Sequence, residues 1–342
     1  MALADRTLDL VNIASESGSE ARAYAYVSAC VPLQKAFDDG ETLIFAQRAG
    51  KRLVLLAGHT DTVPAQGNLP GRVEDGAVVG LGASDMKGGL AVMIELARWA
   101  ADADLAFDVA FLFFPREELG PAENPLPAVF ERTSLVDEAQ LVICLEPTDN
   151  TLQLGCLGNL NARVVFEGLS AHSARPWLGK NAITLALAGL RPILESTPRD
   201  VDIDGLVFRE VMSVTQLNAG IASNVIPARA EAVVNFRYAP DRTPESAEAR
   251  IRELLPDAEV VSNSPPAHVA SRSPLVERLR GLGDFEVQPK QAWTNVADFA
   301  ARGLDAINFG PGATRYAHAV DERVAIAELE RTFAALQRFL AE

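Results

Sequence analysis

The sequence predicts an α/β protein whose mostly parallel sheet is interrupted by an inserted, ferredoxin-like α+β domain. Three observations predict this fold class. The apolar runs at 53–56, 109–114 and 141–145 resemble buried parallel strands, and each stops at polar residues. Helical patterns separate these runs, as in a parallel sheet with crossover helices. After Gly158 the pattern changes to alternating strands, and the α/β pattern resumes from Leu275.

The larger domain is predicted to be discontinuous, with residues 1–158 and 272–342. Its predicted helices cover 3–14, 20–30, 84–103 and 295–302, and a final helix starts at 324. A Pro- and Gly-rich loop spans 64–82, and a last strand is expected at 306–309.

The inserted domain is predicted to cover residues 159–271. Alternating strands are expected at 161–167, 211–218, 229–237 and 258–261, with helices at 181–195 and 244–255. This β-α-β-β-α-β order is that of a ferredoxin-like domain. The Ser- and Pro-rich segment 262–274 is interpreted as the crossing back to the larger domain.

Composition limits the classes of partner and the compartment. The chain has 342 residues, more than one domain usually holds, and a net charge of −15 that argues against nucleic acids and anionic membranes. No apolar run approaches the roughly 18 residues of a membrane span, and the N-terminus lacks the apolar core of a signal peptide. The odd set of Cys30, Cys144 and Cys156, without Cys-x-x-Cys spacing, predicts reduced thiols and a cytoplasmic protein.

The chemistry is predicted to lie where the first of these strands ends, at Gly58-His59-Thr60-Asp61. Residues two apart in an extended segment point the same way, so Asp61 can lie beside His59. A carboxylate beside a ligand histidine fixes its tautomer. Because α/β sheets bind ligands outside the carboxyl ends of their strands, this pair suggests a metal site.

Further candidate ligands follow other strands or lie in loops of the same domain: Asp85, the pair Glu117-Glu118, Glu146 and His318. Two imidazoles and three carboxylates suit a pair of zinc ions that share one carboxylate. One more carboxylate is then needed to move protons, and adjacent glutamates can divide these two tasks.

Several of these residues also have interpretations that involve no metal or catalysis. Asp85 could only cap the helix that follows, and Glu117-Glu118 could be surface charge after a strand. The pattern Gly80-x-Gly82-x-x-Asp85 resembles a dinucleotide fingerprint but lacks its third glycine. His268 has no supporting motif, and Cys144 lies in an apolar strand, where core packing is expected.

Six motifs carry a resemblance to a known family. They are Gly-His-Thr-Asp-Thr-Val-Pro (58–64), Gly-Leu-Gly-Ala-Ser-Asp-Met-Lys-Gly-Gly (80–89), Arg-Glu-Glu (116–118), Leu-Glu-Pro-Thr (145–148), Ser-Ala-His-Ser-Ala-Arg (170–175) and Phe-Gly-Pro-Gly (309–312). In this order they resemble, end to end, the aminoacylase, acetylornithine deacetylase and succinyl-diaminopimelate desuccinylase family of di-zinc amidohydrolases. Within it the chain is most similar to the actinobacterial-type desuccinylases.

The resemblance implies two Zn2+ ions per chain, for which Co2+ can substitute. It implies that His59, Asp85 and Glu146 bind one ion, and that Glu118, His318 and the shared Asp85 bind the other. Asp61 is then the residue that orients His59, and Glu117 the general base and acid. The family also leads us to expect a cis peptide after Asp85.

The resemblance also implies how a small anionic N-acyl amino acid would bind, with N-succinyl-LL-2,6-diaminopimelate as the expected substrate. His172 is expected to help bind the oxyanion across the interface of a homodimer formed by the inserted lid and dimerisation domain. The other implied substrate contacts are Arg175, Asn224, Arg237, Thr294 and Gly310.

Two departures affect the substrate. Asn295 follows Trp293-Thr294 where close members carry Asp, and Cys156-Leu157 stands where many proteobacterial desuccinylases carry an arginine pair. Two classes of alternative therefore remain open. One is another N-acyl-amino-acid deacylase, such as acetylornithine deacetylase, or a small metallo-dipeptidase or carboxypeptidase. The other is a metal-dependent binding or regulatory protein without hydrolase activity.

Overall fold

The computed structural model describes residues 2–342 and divides the chain into two compact units. The first contains the chain up to Leu154 together with Ala270–Gln288 and Asp298–Glu342, and the second contains Gly155–Val269 and Pro289–Ala297. The sequence pattern places 289–297 in the larger domain, whereas in the structure this segment lies in the second unit. This segment belongs to the second unit because Gln291 bonds the backbone of Val207 and Arg209, at 2.9 and 3.1 Å.

The strands are β1 Gln34–Asp38, β2 Leu43–Gln47, β3 Leu53–His59, β4 Arg72–Glu74, β5 Ala77–Val79, β6 Asp108–Phe114, β7 Ala139–Cys144, β8 Leu152–Cys156, β9 Gly158–Glu167, β10 Ala171–His172, β11 Arg199–Ile203, β12 Leu206–Ala219, β13 Val225–Ile226, β14 Arg229–Tyr238, β15 Glu259–Ser264, β16 Val287–Lys290, β17 Ala306–Asn308 and β18 Arg323–Ala325.

The helices are α1 Leu3–Val11, α2 Ala21–Cys30, α3 Gly88–Ala100, α4 Leu126–Arg132, α5 Ala182–Gly189, α6 Arg191–Leu194, α7 Pro244–Leu254, α8 Pro274–Gly283, α9 Val296–Ala300 and α10 Ile326–Ala341. A π-helical turn covers Ala83–Lys87, and 3-10 turns cover Val136–Glu138, Pro176–Leu178 and Thr314–Tyr316. None of the helices in the described chain combines the length and the apolar composition that a bilayer crossing requires.

The first unit is built on an eight-stranded sheet with the order β1-β2-β6-β3-β7-β17-β8-β16. Its central strands β6, β3, β7 and β17 are parallel, whereas β1 and β2 are antiparallel to their neighbours and β8 is antiparallel to β17. Every residue of β3 and β6 is buried, as expected for strands covered on both faces. The predicted mostly parallel α/β core is confirmed, and the antiparallel edge strands were not predicted.

The register of the central strands brings their carboxyl ends together. His59, the last residue of β3, is paired with Phe114, the last residue of β6, and Ala57 is paired with Cys144 at the end of β7. Residues that directly follow β6 and β7 therefore emerge at the same edge of the sheet as His59.

The second unit is an antiparallel sheet with the order β11-β12-β14-β9-β15. Side chains from one face of β9 and β14 form a core with α5, α6 and α7. The elements other than β11 have the predicted β-α-β-β-α-β order. Strand β11, at the edge of the sheet, was not predicted. The single helix expected over 181–195 is two helices, α5 and α6. Pro192 explains the break, because its ring clashes with the carbonyl of residue 188 and it has no N–H to donate.

Candidate metal centre

His59 and Asp61 form a buried pair at the end of β3. His59 is 1% exposed, and Asp61 is fully buried. His59 Nδ1 lies 3.4 Å from Asp61 Oδ1 and 3.2 Å from the Asp61 carbonyl oxygen. Burial alone would lower the pKa of His59, but the carboxylates of Asp61 and Asp85 raise it well above its ordinary value. Nδ1 is therefore engaged, and Nε2 is the nitrogen available to a metal.

Asp61 also fixes the turn that follows β6. Its Oδ1 accepts the backbone N–H of Glu117 and its Oδ2 that of Glu118, both at 3.1 Å. Ser17 Oγ donates to Oδ2 at 2.7 Å, a contact that sequence reasoning missed because nothing near Ser17 indicates a role. Burial would raise the pKa of Asp61, and its contacts with His59, Ser17 and Glu118 lower it instead.

Asp85 lies between the two predicted histidine ligands. Its Oδ1 is 3.1 Å from His59 Nε2, and its Oδ2 is 3.5 Å from His318 Nε2. Burial would raise the pKa of Asp85, but the two imidazoles lower it well below its ordinary value. The peptide that follows Asp85 is cis, as the family resemblance led us to expect. Asp85 thus presents one oxygen to each of the two histidines.

His318 completes the second side of this cluster. Its Nε2 lies 2.9 Å from Glu118 Oε1, and its side chain is 51% exposed, so this side of the site is open. The carboxylates of Asp85 and Glu118 raise the pKa of His318 to about 10.

Glu146 and Glu117 differ in their surroundings. Glu146 is 6% exposed and comes two residues after β7. Glu117 is half-buried, and burial together with the nearby carboxylates of Glu146, Glu118 and Asp85 raises its pKa well above the ordinary value, against the effect of His59. A carboxyl group with a raised pKa is a stronger base and is suited to proton transfer.

The described residues contain three groups whose candidate ligand atoms all lie within 4.8 Å of one another. They are His59 with Asp85 and Glu146, Asp85 with Glu118 and His318, and His59 with Glu117 and Glu118. The first two groups share Asp85 and have the mixed nitrogen and oxygen donors that zinc accepts. The donor set therefore fits two ions that share one carboxylate.

Gly310 is the predicted pocket residue of the first unit. Its N–H donates to Thr148 Oγ1 at 3.1 Å. A Cβ at this position would lie 2.5 Å from the carbonyl oxygen of Glu146, so only glycine fits this close approach. Gly310 therefore packs against the segment that carries Glu146.

The other predicted substrate contacts lie in the second unit. His172 in β10 is paired with Val225 in β13, and its Nδ1 accepts the N–H of Ala174 at 3.1 Å. Asn224 is adjacent, since its carbonyl accepts the N–H of Ser173 at 3.0 Å. Arg175 is exposed, immediately before the 3-10 turn, whereas Thr294 is 4% exposed in the segment Pro289–Ala297.

Arg237 in β14 lines a cavity of about 500 Å3 together with Leu157, Val207, Arg209, Val211 and Gln291. Its Nε donates to Asn235 Oδ1 at 3.0 Å. Burial lowers the pKa of Arg237, and within residues 2–342 the structure shows no ion pair for it. A half-buried guanidinium in a cavity without a carboxylate partner is suited to bind an anion.

The family follows from comparison with known proteins. Residues 55–342 match the family described as Peptidase family M20/M25/M40. The chain belongs to this family. The M20 match covers most of both units and confirms the family and the enzyme class predicted from the six motifs, an amide hydrolase.

Individual M20 relatives and structures agree. A protein of Mycobacterium tuberculosis assigned as a succinyl-diaminopimelate desuccinylase is 36% identical over 98% of this chain and 96% of its own. The succinyl-diaminopimelate desuccinylase of Corynebacterium glutamicum is 35% identical over 84% of this chain and 81% of its own. An M20 family metallo-carboxypeptidase of Sulfolobus solfataricus shares the fold, with a TM-score of 0.80 and 17% identity over 99% of this chain and 98% of that one.

Proposed function

We propose that this M20 family member hydrolyses N-succinyl-LL-2,6-diaminopimelate to succinate and LL-2,6-diaminopimelate. The observation that carries the proposal is the convergence of His59, Asp85, Glu118, Glu146 and His318 beside Glu117. The substrate is proposed because the relatives at 35 and 36% identity bear the name of this activity.

Two zinc ions, replaceable by cobalt, are the proposed cofactors. His59, Glu146 and Asp85 would hold one ion, and His318, Glu118 and the same Asp85 the other. When bound, such ions polarise the amide carbonyl and make water easier to deprotonate. Asp61 keeps His59 Nδ1 engaged, which leaves Nε2 as the ligand atom.

Glu117 is the proposed general base and acid. Its raised pKa lets it take a proton from the attacking water and return it to the leaving amine. The hydrogen bond from its backbone N–H to Asp61 fixes the residue at the end of β6. Neighbouring Glu118 faces His318 instead, so the two glutamates divide proton transfer and metal binding.

The second unit is proposed to supply recognition of the substrate. Arg237, whose guanidinium is half-buried in its cavity, would bind a substrate carboxylate, together with Arg175 and Asn224. His172 would stabilise the oxyanion that develops in the transition state. Thr294 and Gly310 would line the pocket.

A homodimer through the second unit is also proposed. Helix α5 buries Ala182 and Ala186 and exposes Ile183 and Leu187, with 38 and 55% of their areas accessible. Nearby in sequence, Trp177 is 75% exposed. Such apolar exposure favours an interface.

The three free cysteines fit the proposed cytoplasmic location.

The decisive experiment compares turnover of three substrates by the zinc-loaded protein: succinyl-diaminopimelate, acetylornithine and a dipeptide. The proposal predicts the highest kcat/KM for the succinyl substrate. Glu117→Gln should lower kcat by about 100- to 10,000-fold with both ions still bound. Glu131→Gln, at an exposed glutamate of α4, is the matched control and should leave kcat unchanged.

The other outcomes have distinct meanings. Preference for acetylornithine or for the dipeptide would agree with the proposed metal chemistry but contradict the proposed substrate. Two bound zinc ions without hydrolysis of any substrate would support a binding protein instead of an enzyme. Near-normal turnover by Glu117→Gln would overturn the assignment of the base.

A further inference from the structure

Glu322 is a buried carboxylate that binds the backbone of the segment carrying Asp85. It is 1% exposed. Its Oε2 accepts the N–H of Gly82 at 2.8 Å, and its Oε1 accepts those of Ser84 and Asp85 at 3.1 and 2.9 Å. One side chain thus binds three backbone donors within four consecutive residues.

These donors need a side-chain acceptor because they lie at the start of the turn Ala83–Lys87, where no preceding helical carbonyl is available, and the turn itself is irregular. Asp85 has φ −121° and ψ 95°, and Met86 has φ −130° and ψ 37°, both outside the helical region. A buried N–H without a partner costs about 1–3 kcal/mol. Glu322 therefore stabilises a backbone conformation that the local sequence alone does not favour.

Glu322 is itself fixed relative to His318, which precedes it by four residues. Its N–H donates to the carbonyl of Ala319 at 3.2 Å, and its own carbonyl accepts the N–H of Gly80 at 2.9 Å. The segment 318–322 therefore carries one candidate ligand and holds the backbone of another. The candidate ligand atoms of these two segments, Asp85 Oδ2 and His318 Nε2, are 3.5 Å apart.

A carboxylate suits this position. When it is ionised, both of its oxygens act only as acceptors, which matches three N–H donors. A glutamine would turn an amide N–H2 toward either Gly82 or the Ser84 and Asp85 pair, so at least one donor would lose its partner. The nearest conservative substitution is therefore a specific test of these hydrogen bonds.

We propose that Glu322 is a positioning residue of the metal centre, which holds the Asp85 carboxylate between His59 and His318 and thereby sets the affinity for both ions. The inference rests on the proposed metal binding but not on the identity of the substrate. It assigns to Glu322 a role through Asp85, without contact to substrate.

The test measures binding of Co2+ and Zn2+ to metal-free Glu322→Gln and Glu322→Ala, by chelator competition and by the visible absorption spectrum of bound Co2+. Asp108→Asn is the matched control. Asp108 is also 1% exposed and accepts a backbone N–H, that of Ala49, at 2.7 Å, but it holds no segment that carries a ligand. Thermal unfolding of each metal-free variant measures the purely structural effect.

We expect Glu322→Gln to lower the affinity for both ions by about 10- to 100-fold and to change the absorption spectrum of bound Co2+. Glu322→Ala should bind both ions more weakly still. Asp108→Asn should bind both ions as the unmodified protein does. Unchanged affinity and spectrum in Glu322→Gln would overturn the proposal. So would unfolding of metal-free Glu322→Gln at a temperature where Asp108→Asn stays folded, because Glu322 would then serve the fold itself.

The same titration separates this inference from the proposed function. If the unmodified protein binds no metal, the proposed metal centre fails first. If it binds two ions but hydrolyses none of the three substrates, the proposed activity fails, and the effect of Glu322 on metal affinity is still measured.

Discussion

Asp61 Oδ2 accepts the backbone N–H of Glu118 at 3.1 Å, so the carboxylate beside His59 also holds a second candidate ligand. The other oxygen, Oδ1, faces His59 Nδ1 and accepts the N–H of Glu117. Asp61 thus connects the end of β3 to the turn after β6. Its role is wider than the orientation of one imidazole.

Asp61→Asn should therefore weaken metal binding and lower kcat together. The amide keeps only one acceptor oxygen, so it cannot serve His59 and both backbone donors. We expect a loss of about 10- to 100-fold in metal affinity. Chelator competition on the metal-free protein measures it. An effect on kcat with unchanged metal affinity would contradict this role.

Arg237→Ala should raise KM for the succinyl substrate by about 10- to 100-fold, because a charge-assisted hydrogen bond contributes about 1.5–3 kcal/mol. Arg237→Lys should recover only part of this loss, since it lacks the planar fork. An acetylated substrate, which lacks the acyl carboxylate, should be affected less if Arg237 binds that group. Steady-state kinetics on both substrates provide the comparison.

Arg209→Ala is the control for Arg237, since both arginines line the same cavity. Arg209 is already paired with Asp200, through contacts of 2.7 and 2.9 Å. We expect its removal to change KM by less than about threefold, in line with the small contribution of an exposed ion pair. Equal effects of the two substitutions would contradict a specific role of Arg237.

Leu187→Asp should convert the proposed dimer to a monomer. A charge on the exposed face of α5 would have to be desolvated in an apolar interface. Light scattering after gel filtration should give the mass of the 36.6 kDa chain. Val73→Asp, at a 49% exposed residue of the first unit, should stay dimeric. If His172 acts across the interface, activity should fall with dissociation.

Glu210→Gln should destabilise the protein at neutral pH by about 2 kcal/mol. Glu210 accepts hydrogen bonds from Arg199 and Arg242, at 2.7–3.1 Å. Burial would raise the pKa of Glu210, but the two arginines lower it below its ordinary value of 4.5. The stabilisation is thus complete above that value and is lost as the pH falls through the lower, folded-state pKa.

Denaturant unfolding from pH 7 to pH 3 measures this effect. The difference between Glu210→Gln and the unmodified protein should shrink below pH 4.5, where the glutamate of the unfolded chain takes up a proton. A difference that is independent of pH would mean that shape, rather than charge, carries the contribution of Glu210.

The sequence predicted the parts of the fold that have strong local patterns. Strands β3, β6 and β7 are recognisable in the sequence as apolar runs because both of their faces are buried. The edge strand β1 was not predicted, since four of its five residues are exposed and it has no apolar period. The segment 289–297 was assigned to the wrong unit because its partners Val207 and Arg209 are more than 80 residues away.

In the candidate site, too, residues with a local sequence pattern were predicted and residues that depend on long-range contacts were not. His59, Asp85 and Glu146 follow strands or belong to motifs, so their types and spacing indicated a shared function. Glu322 gave no such signal, because a glutamate between Asp321 and Arg323 resembles surface charge. Its importance depends on three backbone N–H groups about 240 positions earlier in the chain, which no local pattern reveals.

The first unit is assembled from segments on both sides of the second, and this sets an order during synthesis. A nascent chain that has left the ribosome up to Leu154 already contains His59, Asp85, Glu118 and Glu146. It still lacks His318 and also Glu322, which come after the entire second unit. The side chains proposed to hold one ion are therefore all synthesised before the second unit, whereas the set proposed for the other ion is complete only after that unit has been made.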